Sequence, residues 1–316
     1  LKTLFERGLL TRGHKVLPYC PRCGTSLSSH EVAQGYEDVE DPSIYVALKL
    51  VSERGERREE SREGSAVAGS SLQSPLSSRI LVWTTTPWTL VSNAALAVHP
   101  DLDYVAIERR GKNEKTLILA EARLTAVFGA DWDTRWRVVR RLRGSEMIGW
   151  RYRRPFDWLP FPEGTRHEII VAGEFVSAED GSGVVHMAPA FGTDDYAAGT
   201  AHGLAFLQPV NARGEFPPDL PVAGGLFVKQ ADPLLIEALK ELGLLWKAGT
   251  LVHSYPHCWR CHTPLLYCAR GSWFVRTTAY RDDMMARNEA VQWHPPEVGG
   301  GRFGEWLENN VDWAIS

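Results

Sequence analysis

Apolar positions along this chain recur mostly with a period of two. In "SIYVALKL" (43–50) Ile44, Val46, Leu48 and Leu50 fall on one face, and "ILVW" (80–83) is apolar and rich in β-branched and aromatic residues. The same texture returns in "AALAVH", "DYVAIE", "TLILA", "WRVVRRL", "HEIIVAGEFV" and "SGVVHMA", with turn residues between the runs. So many short strands and so few long helical runs predict a mixed α/β fold, mainly β, built around a barrel-like module. Between the first two strands, residues 52–79 are mixed charge followed by Ser, Gly and Ala. Such a stretch buries too little apolar surface to order itself, so it is expected to be a disordered surface loop within a hairpin.

Two helices interrupt the β pattern. "GTDDYAAGTAHG" offers Thr193 as N-cap, Asp194 and Asp195 in the first turn and Gly203 as stop. "DPLLIEALKELG" offers Asp232 as cap, Pro233 at the first position and Gly243 as stop. The opening "LKTLFERGLLTRGHK" reads as an amphipathic helix ending near Gly8 or Gly13, without the apolar core of a signal peptide.

One stretch carries chemistry. "WTTTPWTL" (83–90) sets four threonines and two tryptophans around Pro87. Pro87 lacks an N–H and disfavours helical geometry at Thr86, so an extended polar loop is expected where the strand ends. Its hydroxyls are available to a ligand, or make ordinary threonine turn bonds.

Composition narrows the classes. The chain has 316 residues, 44% hydrophobic, enough for more than one domain, and a formal net charge of −4. That balance gives no field for coating nucleic acid in bulk, though a pocket for one nucleotide end remains open. No apolar run approaches the roughly 18 residues of a membrane span. Starting on Leu1 and closing on "NNVDWAIS", the chain reads as a segment of a longer protein.

Of five cysteines, four form two C-x-x-C turns: Cys20 with Cys23 and Cys258 with Cys261. Two such knuckles complete a tetrahedral zinc site. They lie far apart in sequence, so the expected design is a small metal-pinned base from which a large module leaves and returns. Redox pairs or buried thiols are the alternatives. Cys268 is left over, and His257 and His262 flank the second knuckle as substitute ligands.

Taken together, "WTTTPWTLVSNAALAVHPDLDY" and "GSGVVHMAPAFGTDDY" resemble the two halves of the editing pocket of class I isoleucyl-tRNA synthetases. "SYPHCWRCHTPLLY", "SWFVRTTAYRDDM" and "GRFGEWLENNVDWAIS" are similar to the stretch by which that insertion rejoins the synthetic core. The resemblance covers nearly the whole chain except 52–79. Valyl enzymes usually read Trp-Thr-Thr-Arg-Pro-Glu-Thr at the opening motif and leucyl enzymes Thr-Thr-Arg-Pro-Asp-Thr. Here Thr86 takes the arginine place and Trp88 the acidic one, which favours the isoleucine enzyme, with the valine one as alternative. The family's His-Ile-Gly-His and Lys-Met-Ser-Lys-Ser type signatures are absent. ATP and Mg2+ are therefore expected to serve only a core outside this chain.

The resemblance implies a layout and a set of roles. Residues 1–40 would be the first part of a zinc-pinned connective base, 41–245 the β-rich editing domain, and 246–316 the returning part of the base. The editing reaction would be hydrolysis of valyl-tRNA(Ile) by water. It answers a physical limit: one missing methylene is worth only about 1–3 kcal/mol, for which isoleucyl enzymes are the standard illustration. Asp195 would bind the substrate's α-ammonium, its charge favoured by the helix start. Thr84, Thr85 and Thr86 would surround the ribose, the ester and the attacking water. Trp88 would line the side-chain pocket or stack near the adenosine, Thr89 would stand at the entrance of the size filter, and His186 would be the wall that rejects isoleucine. As a lone histidine in an apolar strand, His186 is otherwise a satisfied core residue, and Asp194 only favours the helix dipole. The implied partners are the 3′ end of tRNA(Ile) and L-valine or valyl-adenosine, acting on a cytoplasmic monomer. A non-catalytic zinc-pinned module for RNA ends, or a free-standing hydrolase acting in trans, are the rivals.

Overall fold

A computed structural model describes residues 1–51, 78–111 and 115–315. The chain forms two compact units: Leu1–Val16 with Ala269–Ser316, and Leu17–Cys268.

The larger unit carries the chemistry. It begins within β1 (Leu10–Cys20), whose end pairs antiparallel with β2 (Thr25–Ser26) around the first cysteine knuckle. Strand β3 (Tyr36–Val51) is long, and its outer half pairs along its length with β12 (Leu245–Pro256), from Tyr36 opposite Pro256 to Val46 opposite Leu245. This two-stranded arm joins the knuckles to the main sheet. The inner half of β3 pairs with β4 (Arg79–Thr84). The remaining strands are β5 (Ala95–Val98), β6 (Asp103–Arg109), β7 (Leu117–Ala120), β8 (Trp136–Arg143), β9 (Arg151–Tyr152), β10 (Ile169–Ala172) and β11 (Val185–Met187). Their spatial order is β11-β5-β10-β9-β3-β4-β7-β6-β8. Pairs β5–β10 and β4–β7 are parallel and the other neighbours antiparallel.

The path curls back on itself. Just ahead of β11, the Ser182 carbonyl accepts from Ala120 N–H at the end of β7 (2.9 Å), and the Gly183 carbonyl accepts from the Tyr104 hydroxyl of β6 (2.7 Å). The sheet is thus barrel-like, as the short alternating strands predict. Both faces are covered. Ile44, Val46, Leu48 and Leu50 enter the main core, while Ala47, Leu81, Val105 and Leu119 enter a second cluster behind the sheet. Strands covered on both faces read as nearly continuous apolar runs, which is why "TLILA" and "ILVW" hardly alternate.

Three local expectations need correction. After Pro87 the chain does not stay extended: Pro87–Ser92 form a 3₁₀ helix with all six residues buried. A proline fixes φ where a helical first position needs it, and core contacts supply the rest. The helix Thr193–His202 is capped by Gly192, with Thr193 already inside it. Asp232 and Pro233 do not open their helix either. It runs Val228–Glu241 and buries Val228, Ala231, Asp232, Leu235, Ala238 and Leu239 along one stripe. The opening helix runs Lys2–Glu6 and stops just before Gly8, the first of the two glycines expected to end it, and residues from Leu10 onward are strand. Of the expected surface loop 52–79, residues 52–77 lie outside the described residues. Ser78 is fully buried and Arg79 opens β4.

In the smaller unit, β13 (Leu266–Val275) pairs with β14 (Trp313–Ala314), beside the helices Arg281–Glu289, Glu297–Gly300 and Arg302–Glu308. No helix among the described residues is long and apolar enough to cross a membrane.

Candidate active site and metal centre

The threonine-rich turn and the "VVHMAPAFGTDD" segment meet through side chains. Strand β4 delivers Thr84, whose hydroxyl oxygen accepts the Thr86 N–H at 3.0 Å and so folds the turn over. The Thr86 carbonyl then accepts from the Thr89 N–H (3.1 Å) and the Thr89 hydroxyl (2.8 Å). Thr85 and Thr86 are half-buried, and their hydroxyls have no hydrogen-bond partner among the described residues. Thr84 and Thr89 are committed to holding the turn.

His186, at the centre of β11, is buried and satisfied on both nitrogens. Its Nε2 lies 2.8 Å from Thr89 Oγ1 and its Nδ1 3.3 Å from Asn93 Nδ2. Asn93 is itself fixed: Nδ2 also donates to the Ala95 carbonyl (3.2 Å), and Oδ1 accepts from the buried Tyr152 hydroxyl. Asn93 therefore presents a donor to Nδ1, which must accept. Nε2 carries the proton and gives it to Thr89, whose own proton goes to the Thr86 carbonyl. Burial pushes the imidazole down to about 4, so it is neutral at pH 7. With both nitrogens engaged and no charge, His186 is a fixed, neutral ring that is not poised to accept a proton. Asn93 and Tyr152 were not legible as site residues: they lie 93 and 34 positions from His186 and meet it only in the folded sheet.

Trp88 is 3% exposed and packs edge-on against Phe191, ring centres 4.8 Å apart. Its backbone N–H donates to Asp232 Oδ1 at 2.8 Å. The expected helix cap is thus a clamp on the 3₁₀ turn, reached across 144 positions. Burial drives the Asp232 carboxyl up to about 7, against the Trp88 N–H bond and the Lys229 charge, with Asp41 adding to the rise.

Asp195 sits in the first turn of Thr193–His202, and its Oδ2 accepts the Ala188 N–H at 2.7 Å. Ala188 follows His186 by two residues, so one run of contacts joins Asp195, Ala188, His186, Thr89 and Thr86. Gly192 is the close neighbour that makes room. A Cβ there would stand 2.8 Å from Asp195 Cγ, which no unstrained side chain tolerates. The expectation that the helix start favours the Asp195 charge is corrected by its surroundings. Burial raises the carboxyl from 3.8 to about 6, and Asp194 adds to the rise, against the Ala188 bond. Desolvation outweighs the field of one short helix. At pH 7 the group is still mostly ionised, a half-buried carboxylate that has no cationic partner among the described residues.

The second cluster has the make-up of a metal site. The four sulfurs of Cys20, Cys23, Cys258 and Cys261 all lie within 4.8 Å of one another. Cys20–Cys261 is 3.4 Å, Cys23–Cys261 3.5 Å and Cys23–Cys258 3.9 Å. Tetrahedral Zn–S bonds of about 2.3 Å separate ligand sulfurs by about 3.8 Å, so the set fits such an ion. The two knuckles fold alike: Gly24 and His262, each just after a second cysteine, have φ of 71° and 56°. His262 bonds Glu37 and His257 bonds the Tyr255 carbonyl, so neither displaces a cysteine, and Cys268 packs in the main core.

The family "tRNA synthetases class I (I, L, M and V)" matches residues 1–316. The chain belongs to the class I tRNA synthetases. This synthetase chain is 46% identical over 316 residues to the isoleucine–tRNA ligase of Streptomyces coelicolor, covering 100% of its own length and 28% of that protein. It is 45% identical to that of Thermobifida fusca and 43% identical to that of Clostridium acetobutylicum, covering 27% of each. It therefore spans little more than a quarter of the relatives it matches. Among solved structures it is similar to "The crystal structure of GlLeuRS-CP1", at TM-score 0.47 and 13% identity over 66% of this chain and 99% of that one.

Proposed function

We propose that this synthetase chain is the editing part of an isoleucyl-tRNA synthetase and hydrolyses valyl-tRNA(Ile). The observation that carries the reading is Asp195: a half-buried, ionised carboxylate with no cationic partner among the described residues, joined through Ala188 and His186 to the hydroxyl-rich turn. A substrate α-ammonium is the partner it lacks. A water positioned by Thr85 and Thr86, on the turn that Thr84 holds, attacks the ester carbonyl. The new C–O bond forms, the bond to the ribose oxygen breaks, and the water's proton passes to that oxygen. No covalent nucleophile is required. Thr89 and the neutral His186 bound the side-chain space, Asn93 and Tyr152 keep that wall fixed, and Trp88 closes the apolar side toward the terminal adenosine.

In this reading 41–245 is the editing domain and 1–40 with 246–316 the connective base. The four cysteines hold a structural Zn2+, which cross-links distant segments and takes no part in hydrolysis. The parent ligates isoleucine to its tRNA with ATP and Mg2+ in the cytoplasm. The chain acts as a monomer on the tRNA 3′ end and also takes L-valine or valyl-adenosine.

The test is deacylation of valyl- and isoleucyl-tRNA(Ile) by wild type and His186→Ala. Wild type should cleave the valyl ester in preference. The variant should cleave both, because removing the ring opens the wall. Equal cleavage of both esters by wild type, or unchanged discrimination in the variant, sinks the assignment.

A further inference from the structure

Four cations from separate parts of the fold converge on a cavity that the editing reaction does not use. The cavity, about 620 Å³, is lined by Lys49, Arg79, Arg153 and Arg154. Leu242, Leu244, Pro155 and Phe161 form its apolar walls, and Asp157 and Glu168 are its acids. Arg79 opens strand β4 and Thr84 ends it. At about 3.3 Å per residue the cavity lies about 16 Å from the threonine turn.

Several features are unfavourable for a protein with nothing bound there. Lys49 and Arg79 are direct partners across the antiparallel pair β3–β4, a like-charge pairing that weakens a sheet. The Arg79 guanidinium is held by the Gly243 carbonyl (2.5 Å), and that of Arg154 by the Leu159 carbonyl (2.6 Å) and the Phe161 ring, 4.0 Å away. Each still keeps one buried nitrogen, Nε of Arg79 and Nη1 of Arg154, with no acceptor among the described residues. Glu168 accepts the Arg154 N–H (2.9 Å) and lies 3.8 Å from Arg153, so its charge is already shared. Its backbone has φ of 49°, a strained conformation for a side chain of that size. Burial also lowers the Arg154 pKa, since its charge is not fully compensated.

We infer that this cavity binds the phosphate of a nucleotide-sized ligand, with Lys49, Arg79 and Arg154 around the phosphoryl oxygens and the apolar walls around the base. Guanidinium forks match phosphate oxygens in pairs, and an anion between Lys49 and Arg79 turns their repulsion into attraction. The volume lies within the range of small-ligand sites, about 300–1,000 Å³. Two sources share this chemistry: a free nucleotide, or one nucleotide unit of an RNA strand.

The experiment titrates the full 316-residue chain calorimetrically with AMP, adenosine and a short single-stranded RNA, with inorganic phosphate as competitor. AMP should bind, adenosine should bind at least about tenfold more weakly, and phosphate should compete. Lys49 is exposed, so Lys49→Glu should fold normally and weaken AMP at least about tenfold; Arg79→Gln should do likewise. Asp195→Ala, which disables the editing site, should leave AMP binding unchanged. If the RNA displaces AMP and loses affinity in the same variants, the natural source is RNA; if only AMP binds, it is a free nucleotide. The inference is overturned if neither ligand binds, if both cavity variants bind like wild type, or if Asp195→Ala alone abolishes binding. The last result would place the nucleotide in the editing site, whose own test is independent of this one.

Discussion

Replacing Asp195 by asparagine separates the cost of its charge from the use of it. In the folded chain Oδ2 accepts the Ala188 N–H at 2.7 Å, an acceptor role that an amide oxygen can keep. The carboxyl rises from 3.8 to about 6, chiefly through burial. A shift of that size corresponds to a cost on the order of 3 kcal/mol for carrying the charge in the folded state. The sign follows from the direction. A group whose folded value is raised contributes stability that is fully present below about 3.8 and is lost as pH rises through about 6. At pH 7 wild type bears the cost, while Asp195→Asn does not. The variant should therefore be more stable at pH 7 by up to about 3 kcal/mol, and the gap should nearly close toward pH 4. Activity should move the other way. Losing a charge-assisted bond to the substrate ammonium, worth about 1.5–3 kcal/mol, should slow deacylation at least about tenfold. Urea unfolding at both pH values, beside deacylation of valyl-tRNA(Ile), measures both effects. A variant less stable than wild type at pH 7, or an equal gap at both pH values, refutes burial as the cause. Unchanged deacylation refutes the anchor.

Other outcomes are open to the same kind of measurement. Wild-type deacylation should climb as pH rises through about 6, where Asp195 ionises; a rate flat from pH 5 to 7 tells against an ionised anchor. Gly192→Ala puts a Cβ 2.8 Å from Asp195 Cγ. It should cost about 1–3 kcal/mol in urea unfolding and displace the carboxylate, with deacylation reduced. Asp232→Leu leaves the Trp88 N–H buried without an acceptor and should lose about 1–3 kcal/mol, whereas Asp232→Asn keeps the bond and most of the stability; equal losses would show that the bond is not the cause. Elemental analysis should find one zinc per chain, lost in Cys258→Ser together with stability in thermal unfolding; less than half an equivalent in unchelated protein counts against zinc.

Local pattern determined a good deal here. Ile44, Val46, Leu48 and Leu50 alternate because a pleat sends successive side chains to opposite faces, so their shared core face is written in the spacing. The twin C-x-x-C turns name four candidate metal ligands of one kind, and their sulfurs do meet in one cluster. The threonine-rich turn, His186 and Asp195 stand out as residue types that a core has little use for. Tertiary structure decided what these groups are worth. Asp195 at a helix start looks like a favoured anion, but desolvation is a property of everything packed around it and reverses the direction of its shift. Asp232 looks like a cap, yet the Val228–Glu241 helix starts earlier because its apolar stripe is longer than the capping signal, and this turns the carboxylate onto Trp88. Asn93 and Tyr152, which fix the tautomer of His186, become neighbours of it only when β5, β9 and β11 take their places in one sheet. Strand order is a long-range outcome of burial, and no window of residues encodes it locally.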